Sequence, residues 1–257
     1  MGELLANLEP FVLVVVAAAM LAGGFVKGTT GYGLPFITIP ILTIAMNVPE
    51  AISVSMFPIL LANVYQLARA PAVTKAAVAR FWPLVVPMVA VLALTVPLLG
   101  VITPDVLMIV VGVAAMSFVL FTLVTPNLRV KKRNERWLSP VLGVVSGAIG
   151  GLTSFYGTLA VAYVTALKLE KEEFVVTASL ILLSGGLTMI VALNRMGFFA
   201  AEQALLSTLA LVPLYIGMQV GQVIRARISQ QAFSRVILLL LAAVGVSMIL
   251  RGVLAVL

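Results

Sequence analysis

The sequence predicts an all-α polytopic membrane protein built from two inverted repeats of about five helical segments each. Composition is the first observation: 62% of the 257 residues are hydrophobic and 10% are charged, with a mean hydropathy of +1.21. Soluble domains are closer to half apolar and a quarter charged, so this chain could not bury its apolar surface in water. A repeated polar motif and the placement of charges between apolar segments predict the repeats and their orientation.

The first repeat covers residues 1–125. Its apolar segments run over about residues 11–26, 34–46, 51–67, 81–99 and 106–124. The last three approach the ~20 residues needed to cross a ~30 Å hydrocarbon core, but segment 34–46 is too short to cross comfortably. We therefore expect the opening pair to be a helical hairpin of partial depth, with its tip near the midplane. Two tilted full spans are the alternative.

A basic linker over residues 126–137 divides the halves; its basic residues are Arg129, Lys131, Lys132, Arg133 and Arg136. The second repeat, residues 138–257, has apolar segments at about 138–152, 158–167, 174–193, 201–224 and 233–256. Segment 158–167 is again too short to cross, so this opening pair is also expected to form a short re-entrant hairpin. The linker could alternatively attract anionic lipid headgroups.

Charge placement predicts the orientation of the chain. If each segment reverses direction, one side collects Arg69, Lys75, Arg80, the linker, Lys168, Lys171, Arg225, Arg227 and Arg235. The other side holds Glu3, Glu9, Glu50, Asp105, Glu202, Arg195 and Arg251. The positive-inside rule then predicts cytoplasmic basic loops and both termini outside. An odd number of segments per half requires the halves to be inverted. The net charge of +7 is explained by this basic side, so the expected partner is the lipid bilayer and not nucleic acid.

A glycine- and hydroxyl-rich motif interrupts the apolar sequence over residues 22–40, AGGFVKGTTGYGLPFITIP. The motif returns 124 residues later, where Thr29-Thr30-Gly31-Tyr32-Gly33 aligns with Thr153-Ser154-Phe155-Tyr156-Gly157. Glycine permits helix breaks and close backbone approach. In a bilayer, a break is tolerated only where it faces protein or a wet cavity. Broken helices in corresponding positions of two halves indicate the substrate site of a transporter.

The motif supplies the candidate substrate-binding residues. They are Lys27, Gly28, Thr29, Thr30, Tyr32, Gly33, Thr153, Ser154, Tyr156 and Gly157. An ammonium in hydrocarbon costs ~3 kcal/mol or more, so Lys27 should face a cavity or a partner. Amide donors, hydroxyls and one positive charge suit a small anion. The alternatives are that Lys27 reaches the headgroups, and that the hydroxyls and glycines only pack helices together.

Several classes of protein are excluded by the side chains that the sequence lacks. Without cysteine and histidine the chain has no disulfide framework, thiolate metal site or Ser-His catalytic pair. A GxxxxGK[ST] phosphate loop is also absent, which disfavours ATP-driven pumping. We therefore expect no catalytic residue, no metal, no cofactor and no enzyme activity. Glu3 and Glu9 occupy the region where a secretory signal would be basic, so no such signal is expected.

The two glycine motifs also resemble those of a known family. Gly28, Gly31, Gly33 and Pro40 match its first motif, and Gly147, Gly150, Gly151 and Gly157 match its second. The chain resembles the TauE/SafE sulfite-exporter family over essentially its whole length. The resemblance implies a small bacterial inner-membrane protein of two related halves. It also implies movement of sulfite, sulfonates and related sulfur-containing anions across that membrane, often outward.

Together these observations predict a secondary transporter, an exporter of small sulfur-containing anions such as sulfite or organosulfonates. One half would rock against the other around a central site formed by the two broken-helix motifs. An anion channel of the same architecture is the alternative, and a homo-oligomer remains open. A monoanion leaving a negative interior gains ~2.3 kcal/mol per 100 mV. Because every Asp and Glu falls at a predicted membrane edge, we expect transport driven by the membrane potential, without a buried proton carrier.

Overall fold

The computed structural model describes residues 9–31, 33–68, 74–124, 129–225 and 230–256, which form helices and no strand. In chain order the helices are α1 Pro10–Thr30, α2 Leu34–Leu42, α3 Val48–Ala68, α4 Thr74–Thr95, α5 Pro104–Val124, α6 Glu135–Thr153, α7 Tyr156–Ala166, α8 Lys171–Arg195, α9 Ala201–Leu209, α10 Leu211–Arg225 and α11 Gln230–Val256. Short 3-10 helices cover Val96–Gly100 and Lys132–Asn134. Six spans in the described part of the chain are long and apolar enough to cross a membrane. The predicted all-α polytopic class is confirmed.

The surface of the spanning helices is apolar. Leu94 on α4 is 75% exposed, and Leu120, Val212 and Leu254 are similarly open. Polar side chains such as Ser53, Ser55 and Thr177 are instead fully buried. Exposed apolar patches of this extent mark a surface that meets another apolar phase. The outer surface therefore suits contact with lipid, while the polar groups lie inside.

The first opening pair is a helical hairpin with arms of unequal length. α1 ends at Thr30 because Gly31 adopts a left-handed conformation (φ 88°) and its N–H donates to the Lys27 carbonyl oxygen at 2.8 Å; glycine is the residue that accepts this cap without strain. α2 then packs back along α1, since a Cβ at Gly23 would collide with the Thr38 side chain. With 21 residues α1 could cross a membrane, whereas α2 has 9 residues. The expected partial depth therefore applies to α2 and not to α1.

The second opening pair repeats this arrangement with a shorter break. α6 ends at Thr153, where Ser154 takes the left-handed cap (φ 61°) and its N–H donates to the Gly150 carbonyl oxygen at 2.7 Å. α7 begins two residues after Ser154, at Tyr156. The sequence alignment of the two motifs is therefore off by one residue at the caps, where Gly31 corresponds to Ser154, and by two at the next helix start, where Leu34 corresponds to Tyr156. Tyr156 and Gly157 lie in the first turn of α7, whereas Gly33 lies outside a helix.

The packing of helices between the two halves follows the same scheme on both sides. The first helix of each half packs against the fourth segment of the other half, α1 with α10 and α6 with α4, through glycines that touch backbone. Added Cβ atoms at Gly24, Gly28, Gly217 and Gly221 would strike the carbonyls of Leu214, Met218, Leu21 and Phe25. Added Cβ atoms at Gly143 and Gly147 would likewise collide with the carbonyl oxygens of Leu84 and Met88. Small residues allow this close approach between membrane helices.

The contacts also determine the relative direction of the first helices. α4 runs parallel to α6, because Leu84 meets Gly143 and Thr95 meets Gly151. α4 also runs parallel to α8, since Arg80 binds Glu173 and Gly100 meets Met196.

The helix α8 is antiparallel to α3, because Gln66 lies near Ser179 and Leu60 lies near Gly186. α3 is parallel to α1, where Asn63 meets Lys27 and Gln66 meets Gly31. α1 and α6 therefore run in opposite directions.

Candidate functional site

The tips of the two hairpins meet around a small cavity. Gly33, Pro35 and Phe36 line it from the first hairpin, Ser154, Phe155, Gly157, Thr158 and Val161 from the second, and Leu182 from α8. The Phe36 and Phe155 rings pack over it with centroids 4.5 Å apart. Its volume is about 20 Å³, enough for roughly one water molecule. We call this space the hairpin cavity.

Both tips lie beside the central part of α8. The Tyr156 hydroxyl donates to the Leu182 carbonyl oxygen at 3.0 Å, and Leu182 is close to the middle of Lys171–Arg195. At the first tip, the Gln66 amide donates to the Gly31 carbonyl oxygen at 3.1 Å and accepts from the Ser179 hydroxyl at 3.3 Å. Ser179 precedes Leu182 by about one helical turn. The two polar tips are therefore held at similar depth, far from both ends of α8.

Two hydroxyls of the second tip are buried without hydrogen-bond partners. Ser154 is 1% exposed, and neither its Oγ atom nor the Thr158 Oγ1 atom has a partner. Both residues line the hairpin cavity. An unsatisfied buried hydroxyl costs about 1–3 kcal/mol, a penalty that an oxygen-bearing solute in the cavity would remove. Thr153, in contrast, donates to the Ile149 carbonyl oxygen and accepts from the Phe155 N–H.

The hydroxyls of the first tip donate hydrogen bonds to a carbonyl oxygen of their own helix. Thr29 Oγ1 donates to the Val26 carbonyl oxygen at 2.7 Å, and Thr30 Oγ1 donates to the same oxygen at 2.9 Å. Side chains bonded in this way satisfy local backbone. Gly28 packs against the α10 backbone, and Gly33 lines the hairpin cavity. Tyr32, with Arg69 and Arg227 of the predicted basic side, lies outside the described residues.

Lys27 is a buried ammonium held by a neutral partner. The side chain is 2% exposed and its Nζ atom donates to Asn63 Oδ1 at 2.8 Å. Asn63 in turn donates to the Ile59 carbonyl oxygen. In the described ranges the salt bridges are those of Arg80, so the charge of Lys27 has no carboxylate partner there. Lys27 does not line the hairpin cavity; it lies one turn before the tip of its hairpin. Its burial argues against the alternative that it reaches the headgroups.

The backbone adds positive potential to the hairpin cavity. α2 and α7 both begin at its wall, and their N-cap residues Gly33 and Phe155 make no side-chain capping bond. The first turn of a helix carries unsatisfied N–H groups and the positive end of the helix dipole. The N-termini of two helices at the hairpin cavity therefore favour the binding of an anion there.

Sequence reasoning missed Thr158, Phe36 and Leu182 as lining residues. Thr158 had a usable signal, because it follows Ser154 by four positions, directly after the break, and completes a pair of hydroxyls. Phe36 and Leu182 had none, since an apolar residue in an apolar segment is the ordinary case in a membrane protein.

An ion cluster joins three helices at the end of α4 that was predicted to be cytoplasmic. Arg80 Nε lies 2.6 Å from Glu135 Oε1, and Arg80 Nη1 lies 2.7 Å from Glu173 Oε1. The cluster ties α4 of the first half to α6 and α8 of the second. Glu135 is buried, so its charge depends on Arg80 for compensation.

Paired helical hairpins whose polar tips enclose a central cavity, within spans long enough to cross a bilayer, define an integral membrane protein with the architecture of a transporter. The chain matches the family model described as sulfite exporter TauE/SafE over residues 15–248. It belongs to the TauE/SafE sulfite exporter family, and the resemblance read from the glycine motifs is confirmed. No curated protein and no solved structure matches the chain. Membership places it in a family of membrane transporters, not of enzymes.

Proposed function

We propose that the protein is a secondary transporter that exports small sulfur-containing anions, such as sulfite or organosulfonates, across the bacterial inner membrane. The observation that carries this proposal is the hairpin cavity. The N-termini of α2 and α7 meet there beside the unpartnered hydroxyl of Ser154. The family supplies the class of anion, and the two helix ends supply the positive potential that an anion requires.

The predicted residues take different roles in this site. The hydroxyls of Ser154 and Thr158 bind anion oxygens, together with N–H groups of the first turns of α2 and α7. Lys27 contributes positive charge from one turn away and stays bound to Asn63. Gly157 lets α7 approach α8 closely, because a Cβ at this position would collide with the Leu182 side chain. Among the remaining candidates, Thr29, Thr30, Thr153 and Tyr156 stabilise the conformation of the tips.

The small volume of the hairpin cavity favours a transporter over a channel. A sulfite ion has four heavy atoms and does not fit in a space of about 20 Å³, so the hairpins must separate for the anion to enter. A channel would instead offer a continuous pore. The opposite directions of α1 and α6 support two inverted repeats. In such a pair, rocking one half against the other exposes the same site to each side in turn.

The direction of transport follows from the membrane potential. With basic loops in the cytoplasm and a negative interior, a monoanion leaves with a gain of ~2.3 kcal/mol per 100 mV. The buried Glu135 is paired with Arg80, so it is not a free proton carrier. Export then proceeds when the potential is present and stops when it is collapsed, even if a pH gradient remains.

Transport by purified protein in proteoliposomes tests the proposal. Uptake of sulfite, methanesulfonate, sulfate and chloride is compared for wild type, Ser154→Ala and Thr158→Val. Thr165→Val is the matched control, because Thr165 is an exposed residue of the same helix whose hydroxyl bonds only to the Val161 carbonyl oxygen. We expect sulfite or sulfonate transport that the first two variants weaken and the control retains. Equal transport by all four proteins would reject the site, and conductance steps in bilayer recordings would favour a channel.

A further inference from the structure

A second and much larger space lies beside the hairpin cavity. It is a crevice of about 660 Å³ between α5, α6 and α7. Its walls are apolar, with Val113, Ala114, Phe118, Ile149 and Leu152 among the residues that line it, and no charged side chain takes part. Volumes of 300–1,000 Å³ with mostly apolar walls are typical of sites for organic molecules. A bare inorganic anion would leave nearly all of this space empty.

The crevice adjoins the proposed anion site. Phe155 and Thr158 line both spaces, so a molecule in the crevice would touch the same residues as an anion in the hairpin cavity. On its other side the crevice reaches exposed residues such as Val113 and Ile149. It therefore extends from the second tip towards the apolar surface of the molecule.

Two polar atoms distinguish the crevice from an ordinary lipid-filled groove. Ser146 Oγ and Thr158 Oγ1 are buried, have no hydrogen-bond partner, and belong to residues that line the crevice. A hydrocarbon chain alone would leave both hydroxyls unsatisfied, whereas a solute with oxygen atoms at its inner end would satisfy Thr158, which also lines the hairpin cavity. The chemistry of the walls thus suits an amphiphilic molecule, polar near Thr158 and apolar towards Val113.

We propose that the crevice binds the apolar carbon chain of an organic anion, whose charged group occupies the opened hairpin cavity. This inference rests on the proposed function and deepens it, because it assigns the substrate class as anions that carry an alkyl or similar chain. Each buried methylene group favours binding. The protein then prefers a longer alkylsulfonate to a short one until the crevice is filled.

Transport of hexanesulfonate and methanesulfonate by the full chain in proteoliposomes tests this inference. In wild type we expect an apparent KM at least about tenfold lower for hexanesulfonate, which corresponds to the burial of a few methylene groups. Ala114→Phe fills the crevice and should remove this preference while methanesulfonate transport stays within about twofold of wild type. Leu120→Phe is the control on the same helix, because Leu120 is exposed and does not line the crevice.

The outcomes separate the two proposals. If wild type transports neither sulfonate nor sulfite, the proposed function fails. If methanesulfonate is transported without preference for hexanesulfonate, or if Ala114→Phe changes both sulfonates equally, the crevice holds a lipid chain or a second copy of the protein and only this inference is overturned. Should Ala114→Phe fail to fold, Ser146→Ala replaces it. Loss of the unpartnered Ser146 hydroxyl, which would face the alkyl chain, should strengthen hexanesulfonate binding more than methanesulfonate binding in thermal-shift measurements.

Discussion

Replacing Ser154 by glycine should make the protein more stable and less active. Ser154 holds a left-handed conformation with φ 61°, which costs a residue with a Cβ about 1–2 kcal/mol. Glycine avoids this cost but loses about 0.5–1 kcal/mol through its freer unfolded chain, so the backbone gain is about 0–1.5 kcal/mol. The variant also removes a buried hydroxyl without a partner, which is worth about 1–3 kcal/mol. The expected total is about 1–4.5 kcal/mol.

The same hydroxyl is a proposed ligand of the anion, so its loss should weaken transport. A hydrogen bond to a charged group contributes about 1.5–3 kcal/mol, which corresponds to about 10–100-fold in apparent affinity. Thermal unfolding in detergent measures the first effect, and uptake into proteoliposomes measures the second. An increase in stability together with a loss of activity is the signature of a residue that is strained for function.

Lys168→Gly is the matched control. Lys168 also has a positive φ, 53°, but it is exposed at the end of α7. This variant should gain only the backbone contribution and keep full transport. Ser154→Ala separates the two contributions, because it removes the hydroxyl and retains the strained backbone. The reasoning is refuted if Ser154→Gly unfolds at a lower temperature than wild type. It is also refuted if Ser154→Gly transports the anion as well as Lys168→Gly does.

Three other variants test the packing and the charges. Gly147→Leu should lower the stability by several kcal/mol, because even a Cβ at this position meets the Met88 carbonyl oxygen and α4 and α6 cannot separate without losing contacts. Unchanged thermal unfolding would contradict the close packing of α4 and α6. Arg80→Met should lower the stability by about 3–5 kcal/mol, because it leaves buried Glu135 without a cation. The double variant with Glu135→Gln should recover part of that stability. No recovery would show that Arg80 stabilises the protein through contacts other than Glu135. Lys27→Met should reduce anion uptake while a neutral solute remains excluded, and wild-type uptake by this variant would show that the ammonium is structural.

Much of the fold could be predicted because its signals are local. The helix α5 runs over Pro104–Val124, close to the predicted apolar segment 106–124. The end of α1 was less predictable. Gly23, Gly24 and Gly28 were read as part of a break, yet α1 continues to Thr30. A glycine in a sequence can mean either a helix break or a close helix contact, and here the partner helix decides which.

The positions of the two hairpin tips were predictable, and the bonding of their hydroxyls was not. Ser154 was correctly placed at a tip, and the two motifs were expected to meet. The sequence could not distinguish Ser154, whose hydroxyl has no partner, from Thr29 and Thr30, whose hydroxyls donate to the Val26 carbonyl oxygen. That difference depends on which carbonyl lies within 3 Å of each oxygen, and residue type carries no such information.

Composition and the order of apolar segments were sufficient to identify a polytopic membrane protein, since hydropathy is a property of the chain itself. The repeated glycine motif was likewise sufficient to locate two helix breaks. Only the tertiary structure decided that Gly33 and Ser154 share one cavity, that α1 packs on α10 and α6 on α4, and that a large apolar crevice adjoins the second tip. These features join residues from different parts of the sequence, and their geometry depends on how helices pack rather than on any local pattern.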